Sequence, residues 1–203
     1  GIATMEKNKL LITKEVGKVK DLVASISERD HNGHIGIGHT RWATHGKPNK
    51  LNAHPHSDFS KKFTLVHNGI IENYNSLKQL LKNNNINCNT DTDTEVLVQF
   101  ISFIYHEKKL SFAESVRVAL NEVIGAYGIV VMCKDEPDTI VSARLGSPLL
   151  LGIGDSEIFI ASDSSPIIEY TRNIIFLDEG ELAKITPTCY EVRNIKENEI
   201  ISK

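Results

Sequence analysis

The feature that most constrains this chain is a change of hydrophobic period near residue 126. Upstream, Leu77, Leu80 and Leu81, then Val96, Leu97, Phe100, Ile101 and Ile104, then Val116, Val118, Ala119 and Val123 recur at helical spacing. Downstream, the apolar residues come in solid runs: Ile129-Val130-Val131-Met132, Ile140-Val141, Leu149-Leu150-Leu151, Ile158-Phe159-Ile160, Ile174-Ile175-Phe176 and Leu182 to Ile185. About six strands therefore follow a tandem of helices. Thr92 with Glu95, and Ser111 with Glu114, have capping-box spacing at the two long helix starts. Nearer the beginning, Leu10-Leu11-Ile12, residues 34–44 and Phe63 to Val66 read as strands, while Val16, Val19, Leu22, Val23 and Ile26 mark an amphipathic helix. A short helix is expected over Ser165 to Thr171, a hairpin turn at Asp178-Glu179-Gly180-Glu181, and a tight turn at His67-Asn68-Gly69. Strands, then helices, then strands predict α+β packing in layers rather than an alternating doubly wound sheet. No repeat or low-complexity linker divides residues 1–203, which read as one domain.

Charge and cysteine content narrow the function. The formal net charge is −3 and the pI about 6.3, with no basic stripe, so nucleic acid is not an expected partner. No apolar run approaches the roughly 20 residues that span a bilayer, and Gly1-Ile2-Ala3-Thr4 has no signal-peptide character. A cytoplasmic protein without membrane attachment is the expectation. Cys88, Cys133 and Cys189 are odd in number and widely separated, which indicates neither a disulfide framework nor a zinc knuckle.

Seven of eight histidines fall between His31 and His67, and His54-Pro55-His56 raises the question of a metal site. No acidic or cysteine ligand accompanies them at ligand spacing, so no metal and no cofactor are expected. Gly33-His34-Ile35-Gly36-Ile37-Gly38 lacks the spacing of a phosphate loop, and Gly46-Lys47 is followed by Pro48 rather than Ser or Thr. The informative block is Gly38-His39-Thr40-Arg41-Trp42-Ala43-Thr44-His45-Gly46, where a guanidinium, an indole, hydroxyls and imidazoles crowd one loop. Arg41 suits a carboxylate. Asn68-Gly69 offers a side-chain amide beside a backbone N–H, the donor pair that a charged carbonyl oxygen needs during acyl transfer. Taken singly, each has an ordinary reading: a surface ion pair, a hairpin turn and, for Asp93, a helix cap.

Taken together, Gly38 to Gly46, Asn52-Ala53-His54-Pro55-His56, His67-Asn68-Gly69-Ile70-Ile71-Glu72-Asn73-Tyr74 and Thr92-Asp93-Thr94-Glu95 resemble the class II glutamine amidotransferase family, as found in the glutaminase domain of glucosamine-6-phosphate synthases. The likeness continues through Gly125-Ala126-Tyr127, Arg144 to Leu149 and Ala161-Ser162-Asp163. It implies a four-layer αββα sandwich of the N-terminal-nucleophile type, here incomplete at its N-terminal edge. It also implies L-glutamine as substrate, sugar-phosphate isomerase domains on the same polypeptide, and self-association into a homo-oligomer. In the family, a cysteine at the mature N-terminus attacks the glutamine side-chain amide, giving a thioester and ammonia destined for fructose 6-phosphate. By the resemblance, Arg41 clamps the glutamine α-carboxylate and Asp93 pairs with its α-ammonium. Thr44 and His45 line the pocket, Asn68 and Gly69 form the oxyanion hole, and Trp42 gates an ammonia channel.

The departure from the family is at the nucleophile. The strand that opens with Cys-Gly-Ile has no counterpart, and Gly1 to Thr4 matches a later part of the pattern. A mid-chain thiol cannot use its own α-amine as base, so Cys88, Cys133 and Cys189 are not substitutes. The 203 residues alone are therefore expected to be inactive. The alternative is a non-catalytic module that binds glutamine without reacting.

Overall fold

In the computed structural model, which describes residues 1–26, 31–41 and 48–203, the chain opens with β1 (Ile2–Glu6), β2 (Lys9–Thr13), α1 (Val19–Ile26) and β3 (Ile35–Gly38). It continues through β4 (His56–Ser57), β5 (Phe63–Ile71), α2 (Tyr74–Asn83), α3 (Asp93–Lys108) and α4 (Phe112–Leu120). Strands complete it: β6 (Gly125–Cys133), β7 (Glu136–Leu145), β8 (Leu150–Ile153), β9 (Ile158–Ala161), β10 (Ile174–Phe176), β11 (Glu181–Ile185), β12 (Tyr190–Asn194) and β13 (Ile200–Ile201). None of the described helices is long and apolar enough to cross a membrane.

The strands form a seven-stranded antiparallel sheet in the order β13-β12-β11-β7-β6-β5-β4 and two three-stranded sheets, β2-β1-β3 and β10-β8-β9. The solid apolar run in β6 follows from this arrangement, because a strand covered on both faces alternates between two cores. Ile129, Val131 and Cys133 join the core beneath α2, α3 and α4, together with Phe63, Leu65, Leu97, Ile101 and Phe112. Val130 and Met132 point the other way, into a second core with Ala3, Ile37, Leu149 and Leu151 of the small sheets. Helices, large sheet and small sheets are thus three layers of the α+β sandwich expected from the sequence. Of a fourth layer the described residues contain α1 alone, which contacts β2 and buries none of its residues.

Local chemistry explains the element boundaries. Thr92 Oγ1 accepts the Glu95 N–H at 3.2 Å and caps α3. The Glu95 carboxylate reaches past its expected partner to accept from the Asn89 and Thr90 N–H groups, so it fixes the preceding connection rather than closing a capping box. At α4 the box is absent. Ser111 makes no side-chain cap, Glu114 pairs with Arg117, and Glu136 instead accepts the Phe112 N–H. Asp58, 2% exposed, accepts from the backbone N–H groups of Ser60, Lys62 and Phe63 and from the Ser102 hydroxyl, setting the entry of β5.

Three local expectations are corrected. Residues 165–170 form successive turns, not a helix, held by the Ile167 and Ile168 N–H groups bonding to the Ser164 carbonyl. The turn at 178–181 is real, with Glu181 N–H on the Asp178 carbonyl, but β10 and β11 lie in different sheets, so it crosses between layers and closes no hairpin. Asn68-Gly69 lies within β5, paired with Gly128 and Tyr127. The strands β12 and β13, not anticipated, extend the large sheet beyond β11.

Candidate active site

Gly69 sits mid-strand at φ +127°, a conformation that side chains rarely adopt. A Cβ there would meet the Ala126 carbonyl oxygen at 2.1 Å and Ser147 Oγ at 3.1 Å, so only glycine lets β5 run this close to β6 and the 146–148 segment. The result presents Asn68, Gly69 and Ile70 as exposed residues at the end of a strand whose first five residues are buried.

That exposure has a topological cause. β3 is an edge of one small sheet and β9 an edge of the other, and neither has a second partner strand among the described residues. Both edges open onto a cavity of about 240 Å³ whose floor is the large sheet, lined by Gly38, His39, Asn68, Gly128, Ile160 and Ala161. On the other side of His39 lies a second cavity of about 240 Å³, lined by His54, Arg41, Val19 and Asn49. A larger cavity of about 620 Å³, lined by Asp155, Cys189, Tyr190 and Lys203, contains neither Asn68 nor any of the site histidines.

Behind Asn68 the imidazoles join one hydrogen-bonded chain. His39 Nε2 is 2.8 Å from Asn68 Oδ1, and His39 Nδ1 is 2.9 Å from His54 Nδ1. Thr94 Oγ1 lies 2.9 Å from His54 Nε2 and 3.2 Å from His67 Nδ1. His56 bonds Thr92 Oγ1 at 3.2 Å, and His31 bridges Thr4 and Thr13 of β1 and β2. The histidines that suggest a metal site from spacing alone are therefore engaged with hydroxyls, an amide and one another. Burial holds His39, His54 and His67 below the ordinary histidine range and pushes His56 down to about 3. The rings are neutral at pH 7.

Arg41 follows β3 and is half-buried; its charge adds to the downward pull on His54 and His56. Asp93 opens α3, 7% exposed, and its Oδ2 accepts the Ile71 N–H at 2.9 Å, two residues beyond Gly69. Its negative charge opposes the effect of burial on His67. The fold thus brings Arg41, Asn68, Gly69 and Asp93 around the same histidine chain. Trp42, Thr44 and His45 lie outside the described residues. His39, His54 and Thr94 were not singled out as site residues from the sequence; the motifs contain them, but their contacts span 15 to 40 residues of chain and exist only in the fold.

The cysteines are elsewhere. Cys133 lies in the helix-side core, opposite Phe63 and five residues along β6 from the Gly128 that faces Asn68. Cys88 packs at the margin of that core. Burial pushes both thiols up to about 11, so both are protonated at pH 7. Cys189 is exposed in the connection between β11 and β12. The strand register puts it three strands across and about four residues along from Asn68, roughly 20 Å at ordinary sheet spacings.

Comparison with known proteins gives a consistent picture. A family model described as a glutamine amidotransferase domain matches residues 22–197. The chain is 47% identical, over 91% of its length, to the glutamine–fructose-6-phosphate aminotransferase (isomerizing) of Bacteroides thetaiotaomicron, of which it covers 30%. It is 43% identical over its whole length to the enzyme of the same name from Aquifex aeolicus, covering 34% of that protein. The chain thus spans about a third of the length of these relatives. Among solved structures, the glutamine phosphoribosylpyrophosphate amidotransferase of B. subtilis superposes with a TM-score of 0.81 over 97% of this chain and 43% of its own, at 24% identity. That likeness is one of fold.

Proposed function

The chain belongs to the glutamine amidotransferase domain family and has its N-terminal-nucleophile fold; from that premise we propose that it is the glutamine-hydrolysing part of a longer glucosamine-6-phosphate synthase. The names of its relatives support this choice of acceptor chemistry. In this reading ammonia released from L-glutamine passes to sugar-phosphate isomerase domains on the same polypeptide and is transferred to fructose 6-phosphate. The observation that carries the hydrolytic half is the Asn68-Gly69 donor pair facing an open slot between two sheet edges.

The chemistry follows from the groups around that slot. A thiolate adds to the side-chain carbonyl carbon of glutamine, and the carbonyl oxygen gains the negative charge. Asn68 Nδ2–H and the Gly69 N–H donate to that oxygen. Collapse expels the amide nitrogen as ammonia and leaves a thioester, which water hydrolyses to glutamate and free thiol. Arg41 pairs with the α-carboxylate and Asp93 with the α-ammonium, since a zwitterion needs one fixed charge of each sign. Thr44 and His45 line the pocket and Trp42 gates the ammonia path, roles that rest on the resemblance. The thiol comes from outside these 203 residues: Cys88 and Cys133 are protonated, and Cys189 is far from the slot. An extended segment bearing it fits between β3 and β9, whose facing edges supply the backbone partners.

The test is to treat the full-length protein with a glutamine analogue that carries an alkylating group and to map the adduct by mass spectrometry. A single adduct on a cysteine outside residues 1–203 is expected. An adduct on Cys88, Cys133 or Cys189 overturns the placement of the nucleophile. Glutamine binding with no adduct anywhere makes this a binding module and defeats the catalytic reading.

A further inference from the structure

The hydrogen bonds behind Asn68 permit only one arrangement of protons. Asn68 Oδ1 has no hydrogen to give, so His39 Nε2, 2.8 Å away, carries one. A neutral His39 then has a lone pair at Nδ1, and the proton in its 2.9 Å contact with His54 Nδ1 belongs to His54. That leaves a lone pair on His54 Nε2, which accepts the Thr94 hydroxyl at 2.9 Å. Thr94 Oγ1, having donated, accepts from His67 Nδ1 at 3.2 Å. Reversing one neutral ring sets two lone pairs or two protons against each other at the next contact.

The orientation of the Asn68 amide depends on this order. With the proton on His39 Nε2, the amide turns its Oδ1 inward and its Nδ2–H₂ away from His39, toward the slot. With the proton on Nδ1, His39 would offer a lone pair, the amide would turn over, and a carbonyl oxygen would face the developing oxyanion. We propose that His39, held in its Nε2–H tautomer by His54 and Thr94, is a positioning residue that keeps the Asn68 amide donating to the reacting carbonyl. The inference rests on the reading of Asn68 as an oxyanion donor, and it gives a role to two residues that this reading leaves idle, the first histidine of His54-Pro55-His56 and the threonine after Asp93. His39 touches no reacting atom.

Two measurements on the full-length protein test it. The first compares glutamine hydrolysis by His39→Phe, His39→Gln and Thr94→Val. His39→Phe should lower kcat about 100-fold, the scale of losing one oxyanion donor, with KM for glutamine unchanged. His39→Gln, whose amide can give Asn68 the same bond, should recover activity to within about tenfold, which a loss of packing would not allow. Thr94→Val should fall between them. Equal kcat for His39→Phe and the unsubstituted protein overturns the proposal, as does a His39→Gln no better than His39→Phe. The second measurement needs no variant: ring-nitrogen NMR of the histidine-¹⁵N-labelled protein should show His39 protonated at Nε2 and His54 at Nδ1. Either proton on the opposite nitrogen overturns the relay, even if a variant fails to fold. An unsubstituted protein that does not hydrolyse glutamine defeats the functional reading instead, and the ring spectra tell the two failures apart.

Discussion

The two faces of the seven-stranded sheet are finished differently. On the helix side Phe63, Leu97, Ile101 and Phe112 are fully buried and the core is continuous. On the other side the covering layer is split between two three-stranded sheets, and the gap between β3 and β9 leaves Asn68, Gly69 and Ile70 exposed. The contrast runs along a single strand, since β5 begins in the closed core and ends in the open slot. Stability and chemistry are thereby given to different residues of one element. A donor pair placed on a strand that the helix core already holds needs no rigidity of its own.

Two substitutions bound that contrast. Leu97→Ala should remove about 2–5 kcal/mol of stability, through lost transfer free energy and the cavity left behind. Its kcat per folded molecule should stay at the parent value. Asn68→Ala in the full-length protein should do the reverse, lowering kcat by about 10²–10³ while stability moves by no more than about 0.5 kcal/mol. Thermal melts and steady-state glutamine hydrolysis on both proteins decide the matter. If Asn68→Ala melts as early as Leu97→Ala, the division along β5 does not exist.

A smaller effect is expected from acid, and it belongs to the histidine chain between the two regions. Burial depresses His54 and His56, so the folded protein binds fewer protons than the unfolded chain below the ordinary histidine value of 6.5. Their contribution is present in full above pH 6.5 and is lost as pH falls toward about 3 for His56. Each ring should remove up to about 1.4 kcal/mol per pH unit, a Tm fall of roughly 3–5 °C for a chain of this size. Melts at pH 6.5 and pH 5.5 measure it, and His56→Gln should shallow the slope. A Tm that does not change over that unit would mean that these imidazoles are not buried in neutral form.

The layers were legible in the sequence because burial on both faces writes a solid apolar run, and β6 to β9 could be read from it. β12 was not, since Tyr190-Glu191-Val192-Arg193-Asn194 buries only Val192. The turn expected at Asn68-Gly69 illustrates a different limit. A glycine with positive φ does mark the place, but here the reason is the approach of Ala126 and Ser147, which lie 57 and 78 residues further along the chain. The site was half legible. Arg41, Asn68, Gly69 and Asp93 stand out by chemical type and by resemblance, whereas the bond from His54 to Thr94 joins side chains forty residues apart and leaves no local pattern.

The smallest expected effect concerns α1, on the side of the small sheets. Its sequence has the apolar stripe of a buried helix, yet Val19 and Val23 are each 58% exposed. An eight-residue helix with no buried residue contributes little to the fold. Serine and valine have similar helix propensities, so Val23→Ser changes burial and almost nothing else. In these 203 residues it should shift stability by less than about 0.5 kcal/mol. Made in the full-length protein and followed by thermal melting, the same substitution asks whether anything outside the chain covers that stripe. A loss of 1–2 kcal/mol there, on the scale of fully burying a valine side chain, would mean that the open side of the sandwich is closed in the longer polypeptide. An unchanged Tm would leave α1 uncovered, and the contrast between the two faces would hold for the complete protein as it does for this part.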